Sequence, residues 1–89
     1  MLMAKKMAKE LERAGLKVVR YEESKDPKFI DGEVTLEKSL SVQVGHDYAC
    51  LCRIKGDDID YLLEVEEIND EGGFANDVAK FISSKKLLE

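Results

Sequence analysis

Apolar and polar positions alternate with two different periods along this chain, and each change of period marks a new element. At the N-terminal end, Met3, Ala4, Met7, Ala8, Leu11 and Ala14 recur at spacings of three and four, with Lys5, Lys6, Lys9, Glu10, Glu12 and Arg13 between them. That pattern predicts an amphipathic helix over Met3–Ala14, stopped by Gly15 with Leu16 behind it. Lys17–Glu22 then reads as a short strand marked by Val18 and Val19. Glu23–Glu33 reads as loop. Ser24-Lys-Asp-Pro27 and Asp31-Gly32 are turn chemistry, and Phe29 and Ile30 between them are apolar anchors.

From Leu40 the period becomes two. Leu40–Val44, Tyr48–Ile54 and Ile59–Val65 alternate apolar with polar residues, separated by Gly45-His46-Asp47 and Lys55-Gly56-Asp57-Asp58. This predicts a three-stranded antiparallel meander. Val34 and Leu36 keep the parity of Leu40, so the strand before it either starts near Glu33 and runs long or breaks at Glu37-Lys38. The pattern suggests Val44 opposite Tyr48 and Ile54 opposite Ile59. That register gathers Leu40, Val42, Val44, Tyr48, Cys50, Cys52, Ile54, Tyr61, Leu63 and Val65 on one face. Ala49, Leu51, Asp60, Leu62, Glu64 and Glu66 fall on the other. Finally Phe74, Val78, Phe81 and Ile82, with Ala75 and Ala79, predict a helix capped by Asn69 or Asp70 and ending near Lys85 and Lys86. The expected fold is α+β, a two-layer α-β(4)-α arrangement. A three-stranded meander plus one short strand forms the sheet, and both helices lie on its apolar face.

Composition refines this picture. At 89 residues the expectation is a single small α+β domain over 1–89, with a modest core. No apolar run is long enough to cross a membrane, and the Met-Leu-Met-Ala-Lys-Lys start lacks a secretory apolar stretch, which points to the cytoplasm. Cys50 and Cys52, two apart in one strand, read as reduced core thiols. The net charge of −5 is unevenly spread: residues 1–20 hold six basic side chains against Glu10 and Glu12. Between Asp57 and Glu71 there are eight acids and no base.

Little of this points to catalysis. His46, Cys50 and Cys52 are residue types that zinc takes, but core-facing thiols, a turn histidine and the lack of a fourth ligand argue against a metal. Buried mid-strand thiols also lack the exposed, electropositive setting of a nucleophile. Asp60, Glu64 and Glu66 on one face would suit Mg²⁺-dependent phosphodiester cleavage. However, Leu63-Glu64-Val65-Glu66 has an acid where an acid-x-Lys strand needs its lysine. The order helix, strands, helix is also that of double-stranded-RNA-binding domains, yet the acidic second half lacks the basic footprint phosphate binding requires. No cofactor and no catalytic residue is expected. The leading expectation is an acidic protein-interaction domain: an inhibitor, an immunity-like protein or an assembly subunit. The alternative is a nucleic-acid-binding or Mg²⁺-dependent nuclease-like domain. The expected interaction residues are the apolar spot Ala49, Leu51 and Leu62, and the acids Asp57, Asp58, Asp60, Glu64 and Glu66. The apolar spot suits a sheet-to-sheet homodimer, the acids a basic partner protein.

Overall fold

Helix α1 (Ala4–Arg13) opens the fold, and its two ends are held in different ways. At its C-terminal end, Gly15 adopts φ 96°, the Gly15 amide donates to the Glu12 carbonyl, and the Leu16 amide donates to the Leu11 carbonyl. This is the Schellman closure that Gly15-Leu16 predicts. At the N-terminal end, Met3 offers no side-chain cap. The free amides find tertiary acceptors instead. Leu2 donates to the His46 carbonyl at 3.0 Å, Met3 to Glu71 Oε2 at 3.3 Å, and Ala4 to Glu23 Oε1. The computed structural model describes residues 2–23, 32–68 and 70–88. The Ser24–Pro27 turn, Phe29 and Ile30 as anchors, and Asn69 as a cap lie outside them.

The strands are β1 (Val18–Glu23), β2 (Gly32–Leu36), β3 (Leu40–Val44), β4 (Ala49–Lys55) and β5 (Asp58–Val65), followed by α2 (Glu71–Lys85). They form one antiparallel meander in the order β1-β2-β3-β4-β5. The α+β class, the antiparallel sheet and its cover of two helices agree with the sequence reading. The strand count does not, because the chain reverses at Glu37–Ser39 and makes β2 and β3 separate strands. Lys38 (φ 60°) and Ser39 (φ 63°) are both left-handed, and the Leu40 amide donates to the Glu37 carbonyl at 3.2 Å. Two left-handed central residues suit a tight hairpin, usually built with Gly or Asn, so Lys-Ser carries little sequence signal for it.

The register of β3 against β4 also differs. Val44 pairs with Ala49, Val42 with Leu51 and Leu40 with Arg53. The loop is one residue longer than expected, with the Gly45 amide donating to the Tyr48 carbonyl at 2.6 Å. A one-residue slip exchanges the faces of a strand. Ala49 and Leu51 therefore join Val34, Leu40, Val42 and Val44 in the core, beneath Met7, Leu11, Phe74, Val78 and Ile82 of the helices. Cys50 and Cys52 turn to the opposite face, which we call the open face because no described helix covers it.

Against β5 the register starts as expected, with Ile54 opposite Ile59 and Cys52 opposite Tyr61. A bulge then leaves Leu62 extra, so Leu51 meets Leu63, Cys50 meets Glu64 and Ala49 meets Val65. The bulge sends Leu63 and Val65 toward the core while Ile59 and Tyr61 stay on the open face. Helix α2 is capped by Asp70, whose Oδ1 accepts from the Gly73 amide at 2.9 Å. Its C-terminal end turns at Lys86 (φ 54°), and Arg53 donates to the Leu87 carbonyl at 3.1 Å.

Three substitutions test this arrangement. Leu51 has no solvent exposure, so Leu51→Glu buries an unpaired charge and costs at least ~4 kcal/mol, whereas Ile59→Glu on the open face stays within about 1 kcal/mol. Urea unfolding decides the register, and equal losses would contradict it. A Cβ on Gly32 would lie 2.7 Å from Ala4 Cβ and 3.0 Å from the Glu22 carbonyl oxygen. Gly32→Ala therefore costs about 1–3 kcal/mol by pushing α1 off the sheet, read by the same unfolding measurement.

Candidate functional site

The slip and the bulge redistribute the residues expected to interact. Ala49 and Leu51 are completely buried under the helices, and Leu62 is half-buried against the core. The apolar spot expected from these three residues is therefore not on the surface, and a homodimer built on it has no face to use. The sequence pattern was ambiguous here because β4 is apolar on both parities: Tyr48, Cys50, Cys52 and Ile54 on one, Ala49 and Leu51 on the other. Alternation cannot orient a strand buried on both sides.

The acids keep their exposure but not their common face. Asp57 and Asp58 sit at the β4–β5 hairpin, and Asp58 pairs in register with Lys55. Asp60 lies opposite Arg53, on the helix side, and meets Lys55 Nζ at 2.7 Å. Both partners of that ion pair are well exposed, so it contributes little to stability. Glu64 lies opposite Cys50, on the open face, and Glu66 is exposed just beyond β5. The bulge thus separates Asp60 from Glu64 and breaks the carboxylate set that a Mg²⁺ site would use. Among the described residues no three His, Cys, Asp or Glu side chains gather as metal ligands. No described helix is long and apolar enough to cross a membrane.

What the structure gathers instead is a cluster in which Tyr61, Ile54, Cys50 and Cys52, expected on the apolar face, stand with Ile59 on the open one. Ile59 and Tyr61 stand side by side on β5, 41% and 55% exposed, with half-buried Ile54 opposite Ile59. On the same face of the neighbouring strand, Cys50 and Cys52 are fully buried. Gln43 pairs with Cys50 and Ser41 with Cys52. The Cys50 thiol approaches Gln43 Oε1 at 3.9 Å, and the Cys52 thiol donates to the Ser41 carbonyl at 3.5 Å. The visible signal for this strip was Asp58-Ile-Asp-Tyr61, in which acids flank the two apolar residues.

The thiols differ in their proton affinity. A hydrogen bond from Cys52 favours the Cys50 thiolate, and with help from the Tyr48 hydroxyl it outweighs burial, pulling Cys50 down to about 7. Cys52 is pushed up, first by that same interaction and then by burial. Burial, followed by the bond to Cys50, raises the Tyr48 phenol.

No protein-family model, no curated protein and no solved structure matches this chain.

The unequal thiols predict a pH dependence. Above pH 7 the folded chain has released a proton from Cys50 that the unfolded chain still holds, so stability rises from pH 7 toward 9 and is lost as pH falls through about 7. The raised Cys52 and Tyr48 act in the opposite sense above that window. Thiolate absorbance in the far ultraviolet should show one thiol titrating near 7 and none of the second below pH 10. Two thiols titrating together near their ordinary value would contradict the arrangement.

Proposed function

We propose that this chain is a protein-interaction domain without catalysis of its own, which docks a basic partner on the β4–β5 hairpin. The observation that carries this reading is Ile59 and Tyr61, two large apolar side chains exposed side by side within a stretch of eight acids and no base. Such a pair offers an apolar anchor of the kind interfaces use, with Tyr among the residues that most often dominate binding energy. The surrounding Asp57, Asp58, Glu64 and Glu66 would steer a basic surface toward it. They also oppose pairing with a second copy through the same face, because like charges would meet across it. An inhibitor, an immunity-like protein and an assembly subunit all fit this chemistry, and two unbridged thiols suit a reducing cytoplasm.

A second reading rests on α1, where Lys5, Lys6, Lys9 and Arg13 line one surface cleft with Met3 and Glu10. Four bases along one helix could contact phosphates, although Arg13 is shared with Glu10 at 3.0 Å.

Affinity purification from the host's own extract separates the two, with bound protein and nucleic acid both identified and each variant run beside the native chain. On the first reading, a stoichiometric basic protein binds, leaves with salt and is lost in Ile59→Glu. Tyr61→Ala weakens the purified complex at least about 30-fold, roughly 2 kcal/mol. Nucleic acid that co-purifies and disappears when Lys5, Lys6 and Lys9 are changed to Glu would replace this reading with the second. A protein partner indifferent to both Ile59→Glu and Tyr61→Ala would remove the hairpin as the docking face.

A further inference from the structure

Two thiols on the open face of β4 are not explained by partner docking. Cys50 and Cys52 are two residues apart on one strand, so their side chains stand on the same side of the sheet. Neither is exposed to solvent, and neither takes part in a disulfide. Along a strand their Cα atoms lie roughly 6.5–7 Å apart, at the outer limit of what a disulfide spans. The sulfurs are neighbours that the backbone holds short of bonding to each other.

Ser41 adds an independent observation. It pairs directly with Cys52, so its side chain shares the open face. The residue is only 2% exposed, yet Oγ makes no hydrogen bond. A buried hydroxyl without a partner, aimed at a pair of thiols, points to a ligand that completes the cluster.

The chemistry narrows that ligand. Metal–sulfur bonds of about 2.3 Å allow one bridging atom to join sulfurs up to roughly 4.6 Å apart, a span a disulfide cannot use. Tetrahedral zinc needs four ligands, and no set of three exists among the described residues. Two thiolates that no third His, Cys, Asp or Glu joins among the described residues favour a soft monovalent cation of low coordination number. We propose that Cys50 and Cys52 bind one Cu(I) ion between their sulfurs, with the Ser41 hydroxyl as a hydrogen-bond donor to the bound thiolates. Counted from two neutral thiols, two S–H bonds break, two Cu–S bonds form and two protons leave. Copper stays Cu(I), and the bis-thiolate complex carries one negative charge. Ser41 O–H can offset that charge, as can the Gln43 amide once it turns its N–H groups toward the sulfur that its Oε1 now faces.

The test titrates the reduced protein, without oxygen, against Cu(I) held by the chromophoric chelator bathocuproine disulfonate. The expected result is one Cu(I) taken per chain, with a sulfur-to-copper band in the near ultraviolet. Cys50→Ser and Cys52→Ser each abolish uptake, and Ser41→Ala weakens it roughly 10-fold through loss of the supporting donor. Circular dichroism reads whether the variants fold. If a cysteine variant does not, X-ray absorption on the copper-loaded native chain decides by counting two sulfur neighbours. Copper that stays on the chelator, undiminished uptake by a single-cysteine variant, or any sulfur count other than two overturns the proposal.

Discussion

The pairing of Val44 with Ala49 is the constraint on which the rest of this structure depends. A strand alternates its faces residue by residue, so this one match decides the destination of every side chain in β4. With it, Ala49 and Leu51 extend the apolar layer of β2 and β3 under the helices, and Arg53 reaches the Leu87 carbonyl at the end of α2. The bulge at Leu62 is the necessary complement. Without it, Leu63 and Val65 would continue the parity of Ile59 and Tyr61 and leave the core.

The elements with a local cause were legible in the sequence. Gly15-Leu16 closes α1 and Asp70 starts α2 because capping depends on residues next to one another. Ile54 against Ile59 follows from the short Gly56 turn, whose φ is 61°. What stayed hidden was decided by tertiary context. The β2–β3 reversal takes the break at Glu37-Lys38 that the sequence offers beside a continuous strand, but Lys38 and Ser39 at left-handed positions carry no signal that chooses between them. The faces of β4 were hidden because it is apolar on both sides. The candidate site is half visible for the same reason: its acids are plain in the sequence, whereas alternation puts Tyr61 on the apolar face and marks Ile59 only as the partner of Ile54.

The start of α1 shows how the two layers are joined. Its first turn carries Lys5 and Lys6 and no acid, which opposes the helix dipole. Glu23 from β1 and Glu71 from α2 supply the missing negative charge by accepting the Ala4 and Met3 amides. Glu71 is only 4% exposed, and its place in the first turn of α2 favours its charge there as well. One carboxylate therefore ties the start of one helix to the start of the other, while Gly32 permits the close approach of Ala4 to β2. These contacts hold α1 on the Val34 side of the sheet.

With α1 held there and α2 packed beside it, the composition of the opposite face becomes informative. A face meant for a second apolar layer would carry Val, Ile and Leu, and one meant only for water would carry Lys and Thr. At the centre of this face β3 and β4 place Ser41, Gln43, Cys50 and Cys52, while Ile54, Ile59 and Tyr61 lie toward the hairpin. Glu33, Thr35 and Glu64 border that centre, so buried thiols and exposed apolar side chains share the face with polar and charged ones. Burial of the thiols and exposure of Tyr61 follow from the same register, so the two features belong to one face with two kinds of chemistry.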